Sequence, residues 1–297
     1  MAITKVTGAM LGNYVGGSAD DTVVVGDGAG DAITTGVDNT FIGDNAGSAT
    51  TTGVENVAIG SSAFLVNTTG SYNTAVGGYG TLDANTTANN NTAIGAGVMT
   101  ANTTGANNTS VGAYSLDANT TGDDNVAVGY GALSTNTTAS DNTAVGTSAL
   151  AANTTGSKNT ALGYSAGAAI TTGEKNVTIG YNSGKLITTG IKNVAVGSYS
   201  LDANTTGENN VAIGQSALGA NTTASNNTAV GINALTVNTT ASNNTAVGAD
   251  ALKVNTTGSE NQGFGTYALS LNTTGSNNTS VGYNALGANT TASDNTA

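Results

Sequence analysis

The sequence predicts an all-β protein folded as a β-solenoid, or β-roll, of about sixteen coils. Three observations support this prediction: a short strand-like segment ending in glycine returns every 17 residues, the chain contains no proline, and no segment shows a helical period. Short sequence repeats of constant length are typical of solenoids, in which each coil packs on its neighbours. A chain without proline also keeps every backbone N–H available for hydrogen bonds between coils.

The composition excludes several classes of function. The formal net charge is −12, and the only basic residues are six lysines. This balance argues against a nucleic-acid partner or an anionic lipid surface. No run of apolar residues is long enough for a signal peptide or a bilayer-spanning segment, so we expect no membrane insertion and synthesis in a cytoplasm.

The repeat is defined by one glycine per coil. Fourteen of the fifteen gaps between these glycines are 17 residues long, and the gap from Gly77 to Gly95 is 18. The extra residue predicts a bulge or longer loop in that coil. The array occupies residues 18–297 and ends in mid-repeat. Residues 1–17 form a separate segment, which is predicted to attach the chain to a partner or to cap the first coil. The glycines are Gly26, Gly43, Gly60, Gly77, Gly95, Gly112, Gly129, Gly146, Gly163, Gly180, Gly197, Gly214, Gly231, Gly248, Gly265 and Gly282.

Each coil is predicted to contain two strands of about five residues and two tight turns. In the stretch "NTAVGINALTVNTTASNNTAVG", Gly231 and Gly248 turn the chain, while Val230 and Leu235 fill the interior. Equivalent residues of successive coils lie about 4.8 Å apart, so side chains of one kind can form ladders. We expect such hydrogen-bonded ladders from the run Asn238, Thr239 and Thr240.

A substitution pattern indicates close packing inside the coil. Where glycine replaces the usual leucine, at Gly30, Gly167 and Gly184, the later asparagine becomes Ile33, Ile170 and Ile187. The lost volume returns three residues along the chain, so both positions are predicted to share one buried space. Gly47 with Thr50 does not follow this pattern.

A single coil holds few apolar side chains, and one side of the strand carries small residues such as Ala75, Ala144, Ala229 and Ala246. Small residues allow another chain to approach closely. We therefore expect copies of the chain to associate side by side as a parallel homotrimer.

The repeat unit "NNTAVGINALTVNTTAS" resembles the glycine-ended repeats in trimeric adhesin heads of the left-handed β-roll type. It is more similar to the "NTAVG…AL…NTTG" arrays of phage tail fibres, and the opening "MAITKVTGAM" is similar to the starts of marine phage tail-fibre proteins. The autotransporter adhesins carry a signal peptide and a membrane anchor, and many fibres carry a C-terminal tip or folding chaperone. Neither kind of segment is recognisable in the sequence.

The resemblance implies a structural component of a virion tail fibre, with no enzymatic activity. In this interpretation residues 1–17 attach to tail or baseplate proteins, and a region outside this chain binds the host receptor. A bacterial trimeric surface adhesin whose β-roll binds host or matrix is one alternative. An ice-binding solenoid is another, disfavoured because the two threonines of each repeat are adjacent and point to opposite faces.

Four further patterns in the sequence have both a functional and a simpler structural interpretation. Asp27 and Asp31 are weak calcium candidates, since the stretch "GDGAGDAITTG" superficially resembles aspartate-rich calcium rolls. Twelve "NTT" triplets match a glycosylation acceptor but are interpreted as a ladder. No cofactor is expected.

The other two patterns are columns of lysine and tyrosine. Lys158, Lys175 and Lys192 share a column that could attract a polyanion, although the net charge of the chain opposes it. Tyrosines follow the repeat glycine and can contact a surface or pack on one another, among them Tyr114, Tyr130, Tyr164 and Tyr181.

Overall fold

The computed structural model describes residues 22–297, and none of these residues lies in a helix. The segment 1–17, predicted to attach or cap, lies outside the described residues. The chain divides into two compact units, Met1–Asp141 and Asn142–Ala297, and each unit is a parallel β-solenoid. The predicted all-β solenoid is therefore confirmed.

The first unit contributes one strand of three residues per coil, and each strand pairs in parallel with the next. Paired residues are 17 apart, except between the fourth and fifth strands, where Thr74 pairs with Thr92. The strands are β1 Val23–Val25, β2 Thr40–Ile42, β3 Val57–Ile59, β4 Thr74–Val76, β5 Thr92–Ile94, β6 Thr109–Val111 and β7 Val126–Val128.

The second unit repeats the arrangement without interruption of the spacing. Its strands are β8 Thr143–Val145, β9 Thr160–Leu162, β10 Val177–Ile179, β11 Val194–Val196, β12 Val211–Ile213, β13 Thr228–Val230, β14 Thr245–Val247, β15 Gln262–Phe264 and β16 Thr279–Val281.

The expectation of two five-residue strands per coil is wrong. Three non-glycine positions of a typical coil have positive φ, as at Asn226 (60°), Asn233 (55°) and Leu235 (52°). A left-handed residue interrupts an extended strand, so the rest of the coil is a series of turns. Backbone hydrogen bonds still join these turns to the next coil, as where the N–H of Thr222 donates to the carbonyl of Thr239.

The interior is filled by alanine and leucine. Ala229, Ala234 and Leu235 are fully buried, and equivalent residues of other coils are buried in the same way. Val230, which was predicted to fill the interior with Leu235, is instead half-buried on the outer side of its strand. The middle residue of the strand points inward, and the narrow coil accommodates alanine there. The prediction that small residues on this side of the strand face another chain is therefore wrong, because Ala75, Ala144, Ala229 and Ala246 are fully buried inside their own coils.

The predicted exchange of volume between the leucine and asparagine columns is confirmed. A Cβ atom on Gly167 would lie 3.0 Å from Cδ1 of Ile170, and one on Gly184 would lie 2.8 Å from Cδ1 of Ile187. The two isoleucines are fully buried. The isoleucine side chain therefore occupies the space that the leucine side chain fills in other coils.

The exceptional coil at Gly47 is explained by its neighbouring strand. Phe41 stands at the strand position that is usually alanine and is fully buried. A Cβ atom on Gly47 would lie 2.7 Å from the ring of Phe41. The aromatic ring replaces the missing leucine, so Thr50 need not supply apolar volume.

Candidate functional site

A buried column of asparagine connects each coil to the next. The side-chain oxygen of Asn227 accepts the backbone N–H of Asn244 at 2.9 Å, and its amide donates to the carbonyl of Ala241 at 3.0 Å. Asn227 is fully buried, so both bonds are shielded from water. From Asn39 onward every coil has asparagine at this position, four residues before the repeat glycine.

The asparagine of the "NTT" triplet forms a second buried column. The amide of Asn238 donates to the side-chain oxygen of Asn221 at 3.0 Å and to the carbonyl of Ala241 at 2.9 Å. Because Asn238 is fully buried and both of its amide hydrogens are used, its side chain is not accessible to a glycosylating enzyme. The triplet thus has a structural explanation.

The two threonines of the triplet have different environments. The hydroxyl of Thr222 donates to the carbonyl of Thr239 at 3.2 Å, and that of Thr239 donates to the carbonyl of Thr256 at 3.5 Å. The second threonine, Thr240, is exposed. Only the second threonine of each triplet therefore has a hydroxyl free to bind other molecules. One such column adds no support to the ice-binding alternative.

The column containing Asn227 was not among the predicted site residues. Its signal in the sequence was its regularity, because it is interrupted less often than the column containing Asn238. The "NTT" triplet drew attention because it matches a known modification motif. Regular recurrence at the repeat spacing is thus a better indication of a buried ladder than a motif match.

The outer face of the strands carries two columns of side chains. One column lies directly before the repeat glycine and is almost entirely Val or Ile, with exposed fractions of 37% at Ile59, 39% at Ile213 and 65% at Val281. The other lies two residues earlier and contains Thr, as at Thr228, or Val, with Gln262 as the exception. In each unit the apolar side chains of the first column repeat from strand to strand. We call the surface formed by these two columns the outer strand face.

Tyrosines in neighbouring coils pack against one another in the turns. In the first unit the ring centroids of Tyr114 and Tyr130 are 5.9 Å apart with an edge-to-face angle of 85°. In the second unit Tyr164 and Tyr181 stack at 5.4 Å, and Tyr181 also contacts Tyr199. The rings remain about half exposed, so packing between coils and surface contact are both available to them.

Burial affects the ionisation of Tyr199. Its pKa is raised above the usual value, first by desolvation and then by the hydrogen bond to Tyr181.

The structure does not assemble a metal site around the calcium candidates. Asp27 and Asp31 are exposed, and the backbone N–H of Asp27 lies 3.4 Å from a carboxylate oxygen of Asp44. Within residues 22–297, no group of three acidic residues lies close enough to hold a metal ion. Calcium normally takes six to eight oxygen ligands, so this arrangement gives the calcium hypothesis no support.

The lysine column lies on an exposed surface of the second unit. Lys158, Lys175 and Lys192 are all exposed and have positive φ values of 56° to 63°. Like charges at this spacing repel one another, and solvation of flexible side chains reduces the repulsion.

The sequence matches no known protein-family model, and it is similar to no curated protein. No helix among residues 22–297 is long and apolar enough to cross a bilayer. Buried asparagines are hydrogen-bonded between coils, although a few buried polar atoms, such as Nδ2 of Asn244, have no partner. Apolar side chains remain partly exposed on the outer strand face.

Proposed function

We propose that this chain is the shaft of a homotrimeric viral tail fibre, which connects the virion to a distal host-receptor-binding tip. The observation that supports the proposal is the outer strand face. Val230 and Val247 leave apolar surface exposed on successive strands, although smaller alanines fill the interior. Burial of this surface between parallel chains removes it from water.

The internal hydrogen bonding agrees with a mechanical role. The side chain of Asn227 makes two hydrogen bonds to neighbouring residues of the ladder and its turns, and that of Asn238 makes three. A ladder of this kind resists local opening, because opening one coil leaves buried polar groups unpaired. Three such chains in register deliver three tips together and raise avidity. In this proposal residues 1–17 attach to the tail, and the mature protein resides in the virion.

The oligomer is tested by light scattering combined with size-exclusion chromatography. A trimer has three times the monomer mass of 28.6 kDa. The double variant Val230→Glu and Val247→Glu places two charges on the outer strand face, and we expect it to elute as a folded monomer. The control, Thr240→Glu with Thr257→Glu, adds the same charges at exposed threonines outside that face and should remain trimeric. A wild-type chain that elutes as a monomer would contradict the proposed trimer.

The location is tested by immunogold electron microscopy with an antibody against the chain. Label on the tail fibres of virus particles supports the proposal. Label on bacterial surfaces, together with binding of the purified chain to host cells or matrix, would support the adhesin alternative instead.

A further inference from the structure

The irregular coil in the first unit borders a cleft. The inserted residue lies between Gly77 and Leu82, and here Thr81 donates its hydroxyl to the carbonyl of Gly95 at 2.7 Å. A Cβ atom on Gly78 would meet nothing within 4 Å, so the chain at this point borders open space. The resulting cleft has a volume of about 600 Å³, within the range of small-molecule sites.

Two tyrosines and a glycine occupy equivalent turn positions along this cleft. Tyr79, Gly97 and Tyr114 occupy turns of three successive coils and all line the cleft. The side chain of Tyr79 is 90% exposed, and Tyr114 is half exposed. A Cβ atom on Gly97 would lie 3.0 Å from the ring of Tyr114, so the ring lies against the backbone of that glycine. The ring of Tyr114 thus covers the position where a side chain of Gly97 would lie, and the exposed ring of Tyr79 borders the same cleft from the preceding coil.

The adjacent column supplies oxygen groups along the same three coils. Asp83, Thr100 and Asp117 line the cleft, and the hydroxyl of Thr100 donates to the carboxylate of Asp117. Burial raises the pKa of Asp83 above its usual value, with a smaller contribution from the charge of Asp117. Residues 22–141 contain no lysine, so the cleft presents hydrogen-bond acceptors without a basic partner.

We propose that this cleft binds a neutral hexopyranose saccharide. The C–H surface of a sugar ring packs on the aromatic faces of Tyr79 and Tyr114, while sugar hydroxyls donate to the carboxylates of Asp83 and Asp117. Anionic sugars are excluded by these carboxylates and by the net charge of −12. The cleft consists of turn residues rather than the outer strand face, so the site is open in a monomer and in a trimer joined through that face.

The test uses the full chain with maltotriose, cellotriose and mannotriose as probes. Saturation-transfer NMR detects contact, and calorimetric titration gives the Kd. We expect at least one probe to bind the wild-type chain and Tyr79→Ala to weaken that binding about tenfold or more. Tyr79 is exposed, so this variant should fold normally, which circular dichroism checks. Deletion of Gly78, which restores the regular spacing, should abolish binding.

Tyr283→Ala is the matched control, because Tyr283 is an exposed turn tyrosine of the second unit. It should bind like the wild-type chain. Absence of binding by all three probes would overturn the proposal, as would equal affinities for wild type and Tyr79→Ala. Binding of tetramethylammonium in place of the sugars would show that the cleft is a cation site and would also overturn it.

Discussion

At the scale of single residues, the backbone conformation decides which side chains each position accepts. The repeat glycine Gly231 has a φ of 137°, and a Cβ atom there would lie 2.5 Å from the carbonyl oxygen of Gly248. Leu235 is the opposite case, because a bulky residue occupies the left-handed region with a φ of 52°. Its complete burial offsets a conformational cost of about 1–2 kcal/mol.

Replacing the repeat glycine should be severely destabilising. We expect Gly231→Ala to lower the free energy of unfolding by about 3 kcal/mol or more, since alanine meets both the unfavourable φ and the clash. Gly78→Ala is the control, because a Cβ atom on Gly78 would meet nothing within 4 Å and its φ lies outside the left-handed region. Urea unfolding should show a loss of about 1 kcal/mol or less for the control. Equal losses would contradict the backbone explanation.

The leucine column should reverse the usual order of alanine and glycine substitutions. Leu235→Ala leaves a cavity and keeps the left-handed strain, with a cost of about 3 kcal/mol. Leu235→Gly should cost no more, because glycine adopts this φ without strain. Adding Asn238→Ile to Leu235→Gly should restore part of the loss, since Gly184 with Ile187 is the same combination. A double-mutant cycle in urea without favourable coupling would argue against shared volume.

A partly buried carboxylate should make the second unit more stable in acid. Desolvation raises the pKa of Asp202, opposed by its backbone hydrogen bond and by Lys185. The folded state therefore favours the protonated form of Asp202. Protonated Asp202 contributes its full stability below about pH 4, and this contribution is lost as the pH rises through the pKa of the folded state. Asp202→Asn should be more stable than wild type at about pH 7, with little difference at about pH 3. Thermal melts of both proteins at the two pH values measure this difference in stability. A difference that is the same at both pH values would contradict the prediction.

At the scale of elements, each coil depends on its asparagine ladders more than on its strand. A strand of three residues makes few backbone hydrogen bonds, whereas Asn227 and Asn238 join three segments of the chain each. These side chains satisfy backbone groups in turns where left-handed residues prevent regular pairing. The paired serines Ser110 and Ser115, with their hydroxyl oxygens 2.6 Å apart, satisfy polar groups in the interior in the same way.

Removing one member of the buried ladder should open its coil. Asn227→Ala leaves the buried N–H of Asn244 without a partner and removes one of the two side-chain hydrogen bonds to the carbonyl of Ala241, at a cost of about 3 kcal/mol. Amide hydrogen exchange should show lost protection at Asn244 and in the flanking coils. Thr240→Ala removes an exposed hydroxyl and should leave exchange unchanged. Unchanged protection of Asn244 in Asn227→Ala would show that the ladder is not essential.

At the scale of the whole molecule, charge and the outer strand face act in opposite directions on association. Each copy carries a net charge of −12, so parallel copies repel one another. Exposed apolar groups such as Ile213 and Val230 favour contact. The balance between these terms depends on ionic strength, because salt screens repulsion and does not weaken apolar contact.

Association in the proposed trimer should therefore strengthen as salt is added. We expect sedimentation equilibrium to show a lower dissociation constant at about 0.5 M than at about 0.02 M NaCl. The Thr240→Glu and Thr257→Glu control should respond more steeply, because it adds charge without altering the outer strand face. Weaker association at high salt would indicate that ion pairs, rather than apolar contacts, hold the copies together.

The sequence by itself determined the period, the all-β solenoid and the columns that repeat at Gly231, Leu235 and Asn238. A solenoid is specified almost in one dimension, because each coil contacts its neighbours at a constant sequence separation. Only the tertiary structure decided that Ala229 points inward and Val230 outward. Both residues are apolar, and the choice depends on how narrow the closed coil is, which no local pattern reveals. Positions of positive φ, the compensation by Phe41 and the cleft at Tyr79 likewise arise from packing between coils.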